Sequence, residues 1–240
     1  MEGSSDGIKA TQNGNGALAI TTSGLVSGGA GGFGIAALNN SDQPTTIDIG
    51  AQSVVQGGQA GVVLANSLSH NHPATLNIDG QVRNLSGLSS DSAIIGDNSP
   101  TAIHLRTGSL VTGTIDLGND NDSVNLAGRL NGSVTMDGGN DTLIQVGGAT
   151  LTGTANGGLG NDTLGFSNMG TVDNSILGTK YFNFENLGIF GGSTTLTGAW
   201  DFSGGNTTIY SGTLFLDGSL NTNTFTVNTG GLANISGHLN

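Results

Sequence analysis

Short apolar–polar alternations run along most of this chain. Ile47-Asp-Ile49, Leu76-Asn-Ile78, Ile103-His-Leu105, Ile115-Asp-Leu117, Val124-Asn-Leu126 and Val134-Thr-Met136 each set every second side chain on one face, the period of a half-buried strand. The segments are about three to five residues long and end in Gly, Asn or Asp, so no helix of ordinary length fits between them.

These segments also recur. Ile20-Thr-Thr-Ser-Gly24, Ile47-Asp-Ile-Gly50, Leu76-Asn-Ile-Asp-Gly80 and Ile103-His-Leu-Arg-Thr-Gly108 begin 27, 29 and 27 residues apart. Each leads to a second glycine turn, at Gly28, Gly57, Gly87 and Gly113, and three of them continue into Gly34-Ile-Ala-Ala-Leu38, Gly61-Val-Val-Leu64 or Ala93-Ile-Ile95. Strand, turn, strand, turn, strand outlines one three-sided coil. Parallel strands need crossovers, and a chain that winds back onto itself supplies them without helices. The prediction is an all-β, right-handed parallel β-helix with roughly three short strands per coil. Ile49, Ile78, Leu105, Val124, Leu143 and Leu164 are expected to point into one common inward stack.

From about residue 115 the period shortens: Asp122-Ser-Val124, Asp141-Thr-Leu143 and Asp162-Thr-Leu164 lie 19 and 21 residues apart, near the minimum for a three-sided coil. The aromatics mark a second boundary, because apart from Phe33 every Phe, Tyr and Trp lies between Phe166 and Phe225. Two regions follow: glycine-rich coils over 1–165 and aromatic-rich coils over 166–240. The second should hold the stronger core, with Trp200, Phe202, Tyr210, Phe215 and Phe225 contributing.

Composition narrows the function classes. The 44 glycines and 9% charged residues are far from the usual globular mixture, while 35% hydrophobic residues are too many for a disordered tract. There is no cysteine, so neither disulfides nor thiolate metal sites hold the fold. The formal charge of −12 disfavours nucleic acid and anionic lipid headgroups as partners. No apolar run approaches the roughly 20 residues of a spanning helix, and Met1-Glu2-Gly3-Ser4 does not begin a signal peptide. If the parent is secreted, the chain reads as an excised piece of it.

The last third carries a family resemblance. Leu196-Thr-Gly-Ala-Trp-Asp-Phe-Ser-Gly-Gly205, Thr208-Ile-Tyr-Ser-Gly-Thr-Leu-Phe-Leu216 and Val227-Asn-Thr-Gly-Gly231 resemble the repeat near the C-terminal end of passenger domains of bacterial autotransporters (type V secretion), and the earlier coils resemble the body of such passengers. The match is specific over roughly residues 180 to 240. One departure is that Gly230-Gly231 runs into Leu232-Ala233-Asn234-Ile235 where the family has Gly-Gly-Thr-Leu followed by glycine-rich residues. The resemblance implies display on a Gram-negative outer membrane or secretion from it, a C-terminal folding nucleus, and a membrane link only through a β-barrel missing from this sequence. It also implies a non-catalytic adhesin or rigid stalk, with a host surface or matrix glycan or protein, or a second passenger, as partner.

Local motifs add little chemistry. Gly157-Gly158-Leu159-Gly160-Asn161-Asp162-Thr163-Leu164-Gly165 matches the calcium-binding nonapeptide of repeat toxins, but Gly138-Gly139-Asn140-Asp141-Thr142-Leu143 lacks the spacer and Gly118-Asn119-Asp120-Asn121-Asp122 is looser. Intervals of about 20 residues keep one nonapeptide from following another in sequence, so tight-turn chemistry is the expectation, with a calcium-binding repeat protein as the alternative. His70-Asn-His72 has a spacing compatible with zinc or copper, but Pro73 follows and a solvated loop is expected. Arg83, Arg106 and Arg129 fall 23 residues apart, which reads as chance spacing more than as a basic stripe. Thr150-Leu-Thr152 and Thr194-Thr-Leu-Thr197 offer hydroxyl ladders for a glycan or a second molecule.

No Gly-x-Ser-x-Gly elbow and no thiol occur, and His70, His72, His104 and His238 lie in unrelated contexts. A polysaccharide-active enzyme on this scaffold would need clustered carboxylates with basic partners; Asp48, Asp79, Asp116 and Asp137 recur instead as repeat features. The expectation is therefore no catalytic, cofactor-binding or metal residue and no cofactor.

Overall fold

A computed structural model describes residues 5–66 and 72–240. Every strand pairing in it is parallel, and the chain winds as a β-helix solenoid. Each early coil sends one strand to each of three faces. The first face carries eight strands, from Ile8–Gln12 to Tyr181–Phe182; the second carries eleven, from Leu18–Thr22 to His238–Leu239; the third carries six, from Leu25–Ser27 to Thr150–Leu151. Among the described residues there is no α-helix, only a 3-10 turn at Asn174–Ile176.

The cross-section changes towards the C-terminal region. After Thr150–Leu151 the third face is taken over by a four-stranded sheet running from Gly170–Asp173 to Gly231–Ile235, and the first face ends at Tyr181–Phe182. Later coils have two strands each, and the long strands Ala199–Ile209 and Ser219–Val227 bend round the missing corner. Their pairing shifts register between Phe202 and Asn206, where Gly204 and Gly205 let the backbone turn.

Period two becomes inward and outward columns. In the eleven-stranded sheet one inward column runs Ile20, Ile47, Leu76, Ile103, Val124, Leu143, Leu164, Leu187. Its neighbour runs Ile49, Ile78, Leu105, Leu126, Gln145, Phe166, Ile189, Ile209. The six residues expected in one stack are all buried but divide between these two columns. Ile49, Ile78 and Leu105 end their strands, whereas Val124, Leu143 and Leu164 stand one inward position earlier. Gln145, the polar member, is accommodated because the Tyr181 hydroxyl donates to its Oε1.

The aromatics do not all enter the core. Phe166 lies edge-on to both Tyr181 and Trp200, at 6.4 and 6.0 Å between ring centroids, and Phe202 stacks on Trp200 at 6.4 Å. The Trp200 indole N–H is satisfied by the Thr197 carbonyl at 2.7 Å. Tyr210 departs from the expectation: it is 45% exposed and stacks on Phe190 at 4.6 Å. Its parity explains this, since Ile209 takes the inward position beside it. Phe190 in turn covers Gly165 and Gly188, whose built Cβ atoms would come within 2.7 and 2.4 Å of its ring.

Candidate functional site

A third inward column of the eleven-stranded sheet begins with Leu18, Thr45, Ala74 and Thr101. In the next coils the equivalent corner, just before each strand, holds Asp122, Asp141 and Asp162. Each carboxylate reaches back one coil and accepts a backbone N–H. Thr101 donates to Asp122 Oδ1, Asp122 to Asp141 Oδ1 and Asp141 to Asp162 Oδ1, each at 2.7 Å, and Asp162 donates to Glu185 Oε2 at 2.8 Å. The side chain thus does at the corner what backbone carbonyls do along the strands.

The second oxygen of each aspartate has no such role. Asp122, Asp141 and Asp162 are 3%, 1% and 0% exposed, and the Oδ2 of each is enclosed without a hydrogen-bond partner. Loss of water raises all three carboxyls, Asp122 to about 8 and Asp141 to about 7. The backbone N–H bonds pull the other way, and neighbouring carboxylates add to the rise.

An asparagine ladder runs alongside. Asn119, Asn140 and Asn161 donate their backbone N–H to the side-chain oxygens of Asn98, Asn121 and Asn140 at 3.2, 2.6 and 2.9 Å, and Asn186 Nδ2 donates to Asn161 Oδ1 at 2.8 Å. These residues close the turns of the sequence motifs. Gly138–Gly139 pairs with Leu159–Gly160, and Asn119 bridges to Gly138. The motifs therefore stack one per coil, and the interval of about 20 residues that separates them in sequence is what aligns them in space. Two ladders were hidden in one spacing: the recurring Asn-Asp pairs at 121–122, 140–141 and 161–162 were the signal for both.

Other predicted positions scatter. His70 lies outside the described residues. His72 overturns the solvated-loop expectation: it is 2% exposed, because the corner before Ala74 folds under the preceding coil, where Nε2 meets the Asn39 carbonyl at 3.0 Å. Its buried Nδ1 has no hydrogen-bond partner. His104 faces outward on the eleven-stranded sheet and His238 stands exposed in the last strand.

The arginines form no stripe. Arg83 and Arg129 occupy different columns of the six-stranded sheet, opposite Thr112 and Leu110, while Arg106 sits at a corner. Arg83 donates to Gln56 Oε1 at 2.9 and 2.8 Å. Asp48 accepts from Asn77, and Asp116 accepts from Ser92 and Thr114. Thr194, expected on a hydroxyl ladder, is fully buried; Thr152 does join one, donating to Asn131 Oδ1 at 3.0 Å.

One groove of about 500 Å³ lies on the exterior of the eleven-stranded sheet, lined by Asn77, His104, Arg106, Thr107, Asn125 and the apolar Ala127 and Val146. Asn77, His104 and Asn125 are successive members of one outward column. Arg106 donates to Asn77 Oδ1 at 3.2 Å and lies 3.8 Å from Asp79. Amide, imidazole and guanidinium groups in one shallow strip suit hydroxyl and carboxyl recognition. No family model, curated protein or solved structure matches the chain.

Proposed function

We propose that the chain is part of a non-catalytic, surface-displayed or secreted rod, an adhesive stalk resembling the passenger of a Gram-negative autotransporter. The observation that carries the reading is the continuity of the eleven-stranded sheet, which takes one strand from nearly every coil between Leu18 and Leu239. Ten steps of about 4.8 Å give a rod of about 48 Å along that sheet. A core continuous through every coil resists bending, which suits holding an attached segment away from a membrane.

The exterior supports the adhesive part. The groove around His104 and Arg106 presents donors and acceptors to a sugar or an extended peptide, and the exposed Phe190–Tyr210 stack lies further along the same sheet. A host surface or matrix glycan is the partner these groups fit best. An array of host glycans and matrix proteins probed with the purified chain tests the proposal. Saturable binding that Arg106→Ala and His104→Ala weaken together is the expected result. Absence of binding across the array would remove the adhesive role, and turnover of any polysaccharide on it would overturn the non-catalytic one.

A further inference from the structure

Three inward carboxyls in successive coils raise a question of charge. An ionised carboxylate away from water is far more costly than the neutral acid unless a cation or several donors compensate it. Asp122, Asp141 and Asp162 each have one oxygen satisfied by a backbone N–H and one enclosed oxygen with no partner.

The surrounding charges make ionisation harder still. Asp122 feels Asp141, Asp120 and Asp97; Asp141 feels Asp162, Asp120 and Asp137; Asp162 feels Glu185. Among the described residues, the charged groups that act most strongly on these three carboxyls are all carboxylates. Among the described residues, no group of three or more His, Cys, Asp or Glu side chains gathers where it would hold a metal ion. A proton on each carboxyl neutralises the column without any partner for the enclosed oxygen to share a charge with.

We propose that Asp122, Asp141 and Asp162 form a proton-holding corner ladder, kept as neutral carboxylic acids in the folded coils, so that the stack is firmest in mildly acidic surroundings and loosens above neutral pH. The inference rests on coil geometry and stands apart from the surface-display reading.

The pH window follows from the direction of the shifts. The folded carboxyls lie above the ordinary value of 3.8, Asp122 at about 8 and Asp141 at about 7. The folded chain therefore holds protons that the unfolded chain has released. For Asp122 and Asp141 the resulting stabilisation is complete below the unfolded value and is lost as pH rises through about 7 to 8, and Asp162, also raised, acts in the same direction. Asp173 and Asp201, both exposed, are lowered by Ser175 and Ser203 and act in a separate, more acidic window.

Infrared spectroscopy and thermal melting of the whole chain test this, with the triple variant Asp122→Asn, Asp141→Asn, Asp162→Asn beside it. Asparagine keeps an oxygen for each N–H but carries no charge and no titration. A protonated-carboxyl band should persist in the native chain at about pH 6, fade between about pH 7 and 8, and be much weaker in the triple variant. The native Tm should fall by about 5 °C or more between about pH 5.5 and 8.5, and that of the variant less than half as far. Comparison with the variant removes the self-repulsion of the −12 surface, which both share apart from the three sites. If the triple variant fails to fold, the single Asp141→Asn change is read the same way and should lose part of the band.

Loss of the native band by about pH 5, as for exposed carboxyls, would overturn the proposal, as would equal falls in Tm. A rise in native Tm on adding calcium at about pH 7.5, reversed by chelator, would also overturn it, since those oxygens would then hold a cation.

Discussion

Asp141 and Asp122 stand 19 residues apart in sequence and one coil apart in space, and Asp141 Oδ1 accepts the Asp122 backbone N–H at 2.7 Å. Replacing Asp141 by Ala removes that acceptor and leaves a buried N–H without a partner, at a cost of about 1–3 kcal/mol. Asp141→Asn keeps the acceptor without the charge, so it should stay close to wild type in mildly acidic buffer and exceed it as pH rises through about 7. Urea midpoints of the two variants check this, and equal losses would mean that the bond contributes little.

The turn motifs make a steric prediction. Gly158 has φ +106, and a Cβ built on it would fall 1.8 Å from the Asp137 carbonyl oxygen of the coil beneath. Gly158→Ala therefore meets both backbone strain and a clash that only separation of the coils relieves. Gly87 also has positive φ, +67, but faces open space. Its Ala variant should lose only about 1 kcal/mol, and Gly158→Ala clearly more, as read from paired denaturation curves.

Column parity can be tested by a matched pair. Leu105 is buried in an inward column, and truncation to Ala should cost about 2–5 kcal/mol through lost burial and the cavity left behind. Thr75, outward on the adjacent strand, should tolerate Ala within about 0.5 kcal/mol. Similar Tm values for the two variants would mean that the faces are assigned the wrong way round.

Leu76-Asn-Ile78 and Ile103-His-Leu105 announced both their faces and their partners, because period two and a 27-residue repeat have one simple solution in a solenoid. The asparagine and aspartate ladders were half legible: their spacing was plain, yet it read as turn chemistry alone, since inward corner positions depend on how the coil closes. His72 is not legible, because the Pro73 beside it signals a loop and nothing local shows that the preceding coil covers it. For Tyr210 the alternation in Thr208-Ile-Tyr210, which sets Ile209 inward, outweighs the tendency of a large aromatic to join the core.

The last prediction follows from the aromatic cluster. A solenoid's stability is approximately the sum of each coil's own terms and those between neighbours, so large buried side chains shared among coils create a locally firm block. Phe184, Tyr181, Phe166, Trp200 and Phe202 form a chain of ring contacts across neighbouring coils, each within 6.4 Å of the next. Coils before Ser99 bury mainly Ala, Val, Ile and Leu, which lose less apolar area to the core. Residues from about 165 to 240 should therefore outlast residues 5–110 in limited proteolysis under intermediate urea, with fragments identified by mass. Trp200→Ala should cost about 3–5 kcal/mol and abolish that difference, whereas Tyr210→Ala, which removes an exposed ring, should leave the resistant fragment intact. Survival of the N-terminal half instead would refute the C-terminal nucleus, and equal effects of the two substitutions would show that the interior cluster is not its source.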